Sequence, residues 1–174
     1  MRPPDYKDIL DIDGKTVTIR TMQPSDRDIE QQFIRKLSPL SRYYRFHTAL
    51  RELSPYLLDR FTQVNYPDEM ALIATVFDGN DEREIGVARY ARGPGADCAE
   101  IAVVVADAWQ GKGIGTRLLT DLRDIARDVG IKHLEASILW DNRRMLSLAR
   151  TLGFATRPVK PEDDHLLELG KDLE

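Results

Sequence analysis

A glycine-rich segment, Gln110–Gly115, follows an apolar stretch, Cys98–Val105, and precedes a helical pattern. This order brings several backbone N–H groups and a helix N-terminus to one place, where together they can hold a phosphate group. Because Gly113 and Gly115 carry no side chains, a pyrophosphate can approach the backbone closely. The segment therefore predicts a phosphate-binding turn.

Two other phosphate-binding motifs are excluded in this segment. The dinucleotide fingerprint GxGxxG requires glycine at position 116, where the chain has Thr116, and the Walker sequence requires a Lys-Ser/Thr pair after its last glycine. Two interpretations remain open. One is a pyrophosphate-binding turn, to which Lys112 or Arg117 would add a phosphate contact, and the other is a tight strand-to-helix turn without a ligand.

One carboxylate, Glu100, lies within the apolar stretch before the turn. An isolated acid beside a phosphate site suggests a cofactor-using enzyme, whereas the alternative is a solvated or ion-paired acid at a strand edge. Cys98 faces the same side of the strand, and we interpret it as a packing residue rather than a covalent relay. No spacing of possible ligands suggests a metal site. Whether His47 reaches the reaction site stays open, and His133 is expected at the surface.

The bulk composition restricts the class of protein. The length of 174 residues predicts one domain over 1–174, and the single cysteine excludes an internal disulfide and a cysteine-rich zinc site. The formal net charge of −4 argues against a nucleic-acid partner. No run reaches the roughly 20 apolar residues of a membrane span, and no signal peptide is visible. We therefore expect a cytoplasmic protein with no membrane partner.

Hydrophobic periodicity predicts an alternation of strands and helices. The first residues, 1–13, are rich in proline and aspartate and are predicted to be extended or loose. The predicted strands are 15–20, 70–77, 84–91, 98–105, 132–140, one from 154 and one at 166–169, and the predicted helices are 24–37, 40–47, one after Pro55, 113–129 and 142–152. This order predicts an α/β (α+β) fold in which helices pack on a mixed sheet.

The pattern Gln110-x-x-Gly113-x-Gly115 after an apolar strand resembles the acyl-CoA-binding motif of the GNAT acetyltransferases. The segment 142–154 resembles the second cofactor-contacting helix of that family. The resemblance implies the GNAT acyl-CoA N-acyltransferase fold, a mostly antiparallel central sheet flanked by helices, with acetyl-CoA or another short acyl-CoA as co-substrate and no metal. It assigns to the cofactor Val103, Val104, Val105, Gln110, Gly111, Lys112, Gly113, Ile114, Gly115, Thr116, Asn142 and Arg144.

A narrower resemblance, to the Pat-type protein lysine acetyltransferases, rests on several strings. They are LSPLSRYYRF (37–46), EMALIATV (69–76), GVARY (86–90), AEIAVVVAD (99–107) and NRRMLSLARTLGF (142–154). Enzymes of this subgroup acylate a lysine of acyl-CoA synthetases, which implies a protein partner of that kind. The chain is expected to be the catalytic domain alone. The alternatives are a GNAT enzyme of a small-molecule amine and a non-catalytic acyl-CoA sensor.

The Pat-type resemblance implies that Glu100 is the general base. A lysine amine has a pKa of about 10.4, so reaching its neutral form at neutral pH costs roughly 4.6 kcal/mol. A nearby base removes the proton as the amine attacks the thioester. Burial in the apolar strand is expected to raise the pKa of Glu100 towards the useful range.

The resemblance implies roles for other residues. A backbone N–H beside a bulge at Val103–Val105 would stabilise the oxyanion. Asn142 would contact the cofactor arm, cap its helix, or both, and Arg144 either binds the ribose phosphate or is solvated. Many GNAT enzymes place a tyrosine general acid where this chain has Ala149, so no general acid is assigned. An aromatic run, 43–46, is expected near the acceptor side.

Overall fold

The computed structural model describes residues 4–158 and 165–174, whose strands form one sheet in the order β1-β2-β3-β4-β5-β6-β8-β7. The strands are β1 (Lys7–Ile12), β2 (Lys15–Thr21), β3 (Glu69–Asp78), β4 (Asp81–Ala91), β5 (Cys98–Val105), β6 (His133–Leu139), β7 (Ala155–Pro158) and β8 (Leu166–Asp172). The helices are α1 (Arg27–Lys36), α2 (Pro39–Phe46), α3 (Pro55–Thr62), α4 (Ile114–Asp128) and α5 (Arg143–Thr151). Neighbouring strands are antiparallel except β5 and β6, which are parallel. The predicted mixed, mostly antiparallel α/β architecture is confirmed.

The N-terminal segment contains a strand that was not predicted: residues 7–12, expected to be extended or loose, form β1 and pair with β2. Ile12 pairs with Lys15 across a two-residue turn. The turn residues Asp13 and Gly14 both have positive φ, at 53° and 77°. Asp-Gly favours this hairpin geometry, so the pair just before the alternating residues of β2 is the signal that would have predicted β1.

Helices α2 and α3 begin in the same way, with a serine before a proline. The Ser38 hydroxyl accepts a hydrogen bond from Ser41 N at 3.1 Å, and the Ser54 hydroxyl accepts one from Leu57 N at 3.2 Å. Proline in the first turn needs no N–H partner and has a helical φ. This signal predicted the start of α3, whereas Ser38-Pro39 was interpreted as a break in the chain and α2 was predicted only from Leu40. None of the helices in the part of the chain that is described is both long and apolar enough to cross a membrane.

Two apolar clusters lie on opposite faces of the sheet, because successive residues of a strand point to opposite sides. The front face is covered by α1–α3, and its buried cluster includes Phe33, Ile34, Leu58, Ile73, Val87 and Val104. The back face is covered by α4 and α5, and its cluster includes Leu72, Tyr90, Leu118, Leu122 and Ala149. On β5 the buried front cluster reaches only Val104, so the front of the sheet beyond it stays open.

Strands β5 and β6 pair over a short distance only. The paired residues are Cys98 with His133, Ala99 with Leu134, and Glu100 with Glu135. After Glu100, β5 continues along β4 as far as Val105, whereas β6 continues along β8. The two strands therefore diverge, and a wedge opens between them immediately after Glu100.

Candidate functional site

A cleft of about 1170 Å³ occupies the wedge between β5 and β6. Helix α2 lies along one side, the N-terminus of α4 along another, and α5 along a third. Its walls include most of the residues that the sequence assigned to a cofactor: Val103, Val104, Val105, Gln110, Gly111, Gly113, Ile114, Gly115, Thr116, Asn142 and Arg144. The predicted general base, Glu100, lines the same cleft.

The glycine-rich turn leaves backbone donors free at the start of α4. Gly111 and Gly113 have φ values of 73° and 88°, a left-handed conformation that favours glycine. The first hydrogen bond of the helix runs from Arg117 N to Gly113 O at 3.0 Å, and no side chain of the described residues caps this end. The N–H groups of 114–116 therefore face the cleft without a helical partner, as an anion site requires.

Gly115 lines the cleft and also has a packing role. A Cβ atom at this position would lie 3.3 Å from Leu148 Cδ2 and 3.6 Å from Val105 Cγ2. Gly115 thus allows α4 to pack closely against α5 and β5. At Gly111 and Gly113, by contrast, an added Cβ would meet nothing within 4 Å, so these two glycines are the ones that leave space for a ligand.

Both basic side chains considered for a phosphate contact are already ion-paired. Lys112 Nζ contacts the Asp13 carboxylate in the turn between β1 and β2. Arg117 contacts Asp8 on β1 and lies 2.8 Å from Asp121 Oδ2. The two side chains hold the N-terminal hairpin against the start of α4, and Lys112, unlike its neighbours in the turn, is absent from the cleft walls.

Gln110 and Arg144 are joined across the mouth of the cleft. Arg144 Nη1 donates to Gln110 Oε1 at 2.5 Å. Gln110 Nε2 donates to Val105 O at 2.9 Å and to the Ser41 hydroxyl at 3.3 Å. The side chain of Gln110 thus links α2, β5 and α5, which explains why this position of the turn needs a group that both donates and accepts.

The cleft edge of β5 presents backbone groups that do not pair with β6, although Val105 O accepts a hydrogen bond from Gln110. Ala106 N donates to Ile85 O at 2.8 Å, and alternate residues direct their backbone groups to opposite edges. Those of Val103 and Val105 therefore point into the cleft, whereas those of Val104 point towards β4. The expected bulge in β5 is wrong, because its pairing with β4 runs without a register shift. The wedge comes from divergence of β6 instead.

Glu100 is exposed, so the expectation that it is buried in an apolar strand is wrong. It lies on the front face, beyond Val104, where the buried cluster under α1–α3 ends. Its neighbours in register, Ala91 on β4 and Glu135 on β6, are exposed as well. Its carboxylate is accessible both from the cleft and from the open front of the sheet.

Two basic groups of α2 face Glu100 across the cleft. His47 ends the helix in a left-handed conformation with φ of 55°. Burial and the charge of Arg45 lower the pKa of His47, and the charge of Glu100 acts in the opposite direction. Burial and the charge of Arg89 lower the pKa of Arg45 to about 10. The site therefore places a charged guanidinium and a neutral imidazole near the carboxylate at neutral pH.

Asn142 and Ala149 occupy the places expected for them on α5. Asn142 Oδ1 accepts a hydrogen bond from Met145 N at 3.2 Å, so Asn142 caps the helix while it also lines the cleft. Ala149 is buried in the back cluster. A tyrosine comes instead from α2, where the Tyr44 hydroxyl lines the cleft and donates to Asp141 O at 3.4 Å. The aromatic run of α2 signalled this contact only in general terms.

Comparisons with known proteins agree with this architecture. Residues 16–155 match the family model of the acetyltransferase (GNAT) domain. An acetyltransferase of Pseudomonas aeruginosa is 39% identical over 142 residues, which cover 82% of this chain and 76% of that protein. Acetyltransferase Pat of Mycolicibacterium smegmatis is 31% identical over 141 residues, which cover 80% of this chain and 41% of that protein. The crystal structure of the GNAT domain of S. lividans PAT has a TM-score of 0.87 at 28% identity and covers 99% of this chain and 100% of that chain.

Proposed function

This chain belongs to the GNAT acetyltransferase family, and from that premise we propose that it acetylates a lysine side chain of a protein, with Glu100 as the general base. The observation that carries the proposal is the position of Glu100. Its accessible carboxylate lies where β5 and β6 diverge, in the same cleft as the uncapped N-terminus of α4. An acyl donor and an amine can therefore meet beside it.

The donor of this family is acetyl-CoA, and the residues present fit it. The left-handed turn at Gly111 and Gly113 and the free N–H groups of 114–116 would hold its pyrophosphate. The backbone N–H and C=O of Val103 and the N–H of Val105 would pair with the pantetheine arm as an added strand does, whereas Val105 O already accepts a hydrogen bond from Gln110. Asn142 and Arg144 line the cleft beyond them.

The chemistry that we propose needs one base and one oxyanion donor. The Glu100 carboxylate takes a proton from the acceptor ammonium, directly or through water, and the neutral nitrogen then attacks the thioester carbon. A backbone N–H of Val103 or Val105 stabilises the oxyanion. The carbon–sulfur bond breaks as the carbonyl re-forms, and the nitrogen loses its second proton to water or to the leaving thiolate. The conjugate acid of this thiolate has a pKa of about 8.5, and no general acid is assigned.

A cationic acceptor suits the charge of the open face. Glu135 on β6 and Asp172 on β8 are exposed on the same side of the sheet as Glu100. Glu100 and the adjacent Glu135 place two carboxylates beside the guanidinium of Arg45, and these carboxylates attract an ammonium group. An entrance that opens directly on the front of the sheet also admits a lysine carried on a folded surface. The Pat-type resemblance in sequence points to acyl-CoA synthetases as the protein class.

The proposal is tested by offering the protein both classes of acceptor. Purified enzyme is incubated with acetyl-CoA and with candidate acyl-CoA synthetases, and acetyl-lysine is measured by mass spectrometry together with free CoA. We expect equimolar acetyl-lysine and CoA. Turnover on a polyamine or an amino acid, with none on any synthetase, supports the alternative of a small-molecule enzyme. Tight acetyl-CoA binding without release of CoA on either class supports a sensor.

A further inference from the structure

Three side chains with metal-binding atoms meet on the front face of β5 and β6. They are Cys98, His133 and Glu135, and their ligand atoms all lie within 4.8 Å of one another. The parallel pairing creates the group, because it sets Cys98 opposite His133 and places Glu135 one step further along β6. His133 and Glu135 are close in the sequence, but Cys98 lies far from both on an earlier strand, so the spacing along the chain carried no metal signal.

We propose that these three residues form a binding site for a divalent cation of borderline softness, for which Zn²⁺ is the best match. A thiolate, an imidazole and a carboxylate are all ligands that Zn²⁺ accepts, at about 2.0–2.3 Å. Ligand atoms at those distances from one ion lie somewhat closer together than 4.8 Å, so small side-chain rotations complete the site. Three protein ligands leave a fourth position for water or another ligand.

A second observation supports His133 as a ligand. Its Nδ1 lies 2.7 Å from Asp172 Oδ1. Histidines that bind metals typically donate their other ring N–H to a carboxylate, which fixes the tautomer and leaves Nε2 free for the ion. The ring lies against Gly170, where an added Cβ would come within 3.2 Å of Nε2. A glycine on β8 thus makes room for the imidazole in this orientation.

The site is accessible to an ion from solvent. Cys98 and His133 are half-buried, and Glu135 is exposed. The exposed carboxylate therefore faces solvent, and the thiol and the imidazole are both partly accessible beside it. Partial burial of the sulfur and nitrogen ligands also limits competition from water for those two bonds.

A cation here would act on the acyl-transfer site, an inference that rests on the proposed function. Glu135 pairs in register with Glu100, so the ion would lie beside the proposed general base. Its positive charge would repel the ammonium group of an incoming acceptor from the position beside Glu100. We therefore infer that Zn²⁺ bound to Cys98, His133 and Glu135 inhibits transfer.

Binding is tested first, without reference to activity. Co²⁺ is titrated into the reduced full chain while the sulfur-to-cobalt charge-transfer absorption is recorded, and Zn²⁺ affinity is measured by competition with a chromophoric chelator. We expect one ion per chain and a clear sulfur-to-cobalt band. Cys98→Ser should abolish the band, and His133→Gln should weaken binding at least tenfold. Asp172→Asn should weaken binding by about 10–100-fold. An unchanged circular dichroism spectrum of this variant would show that the loss does not come from a folding defect.

A matched variant separates this site from general histidine binding. His165 is exposed and lies outside the cluster, so His165→Gln should leave the band and the affinity unchanged. A missing band in the unaltered protein, or full Zn²⁺ affinity in Cys98→Ser and His133→Gln, overturns the proposal. Inhibition is measured last. Loss of Zn²⁺ inhibition in Cys98→Ser supports the link to Glu100, whereas intact metal binding in a protein without acetyltransfer contradicts only the proposed function.

Discussion

The carboxylate of Asp107 holds the start of helix α2 through Ser38. Asp107 Oδ2 accepts a hydrogen bond from Ser38 N at 2.9 Å, and Oδ1 accepts one from the Ser38 hydroxyl at 2.7 Å. The Ser41 hydroxyl donates to the same Oδ1 at 2.7 Å. Because Asp107 follows β5 directly and Ser38 caps α2, these bonds fix one wall of the cleft to the strand that forms its floor.

We expect this contact to make the free energy of unfolding depend on pH in the acid range. Burial would raise the pKa of Asp107, but the hydrogen bonds from Ser38 and Ser41 outweigh it and lower that pKa. The stabilisation is therefore present above the unfolded pKa of about 3.9 and is lost as pH falls through the lower folded pKa. Asp107→Asn should lower the urea midpoint at pH 7 and converge with the unaltered protein in strong acid. Asp5→Asn, an exposed control, should show no such convergence.

Glu100→Gln tests the base with little change of shape. Loss of a general base typically costs about 10²–10⁴-fold in rate, and we expect kcat on a lysine acceptor to fall within that range. Acetyl-CoA affinity, measured by calorimetry, should stay within about twofold of the original because Glu100 lies beyond the phosphate turn. The control variant Glu168→Gln removes an exposed acid on a different strand, β8, and its kcat should stay unchanged. Equal kcat in Glu100→Gln and the unaltered enzyme would remove Glu100 from the mechanism.

Gly113→Val tests the phosphate turn. At φ of 88° a side chain strains the backbone, and its bulk would stand between the free N–H groups and a pyrophosphate. We expect acetyl-CoA binding to fall at least tenfold. Gly79→Val is the matched control, because Gly79 has φ of 64° and open space around it in the distant hairpin between β3 and β4. It should lose thermal stability to a similar degree and keep its affinity. Equal affinity in both variants argues against the turn as the donor site.

The sequence predicted the elements well where local chemistry determines them. Strand β5 was predicted with its observed bounds, 98–105, because apolar β-branched residues run between a glycine turn and a polar break. Strand β1 was missed because residues 1–13 were judged by their proline and aspartate content, and that segment ended at Asp13, in the middle of the Asp13-Gly14 turn. The composition of a whole segment does not reveal a two-residue turn within it or at its end, although this turn determines where the hairpin forms.

The candidate site was predictable only in part, because much of it depends on pairing between distant strands. The order of strand, turn and helix placed Gly113 in the cleft correctly. The exposure of Glu100 depends on how far α1–α3 extend across the front face, which no pattern within β5 encodes. Likewise, Cys98 and His133 lie opposite each other because β5 and β6 are parallel neighbours. The number of residues between them in the sequence does not predict this pairing.

The pKa of Glu84, a buried acid beneath the front helices, is shifted in the opposite direction to that of Asp107. Glu84 on β4 and Glu30 on α1 are both buried, and Arg89 Nη2 lies 3.6 Å from Glu30 Oε1. Among the described residues, neither oxygen of Glu84 has a hydrogen-bond partner. Burial and the nearby negative charge of Glu30 raise the pKa of Glu84 well above its ordinary value. The fold therefore favours the protonated form of this carboxyl.

Glu84→Gln should stabilise the protein in alkali and not in acid. The raised folded pKa makes wild-type stability fall as pH rises above the unfolded value of about 4.3, by up to about 1.4 kcal/mol per pH unit. In urea unfolding, Glu84→Gln should therefore be more stable than the unaltered protein at pH 8, and the difference in their midpoints should shrink towards pH 4. Glu82→Gln is the control of opposite sign, because Arg20, at 2.5 Å, lowers the pKa of Glu82. That variant should be destabilised at neutral pH, with the loss fading as pH falls through the lowered pKa. If the change in stability had the same pH dependence in both variants, the conclusion that the Glu84 carboxyl keeps its proton would be contradicted.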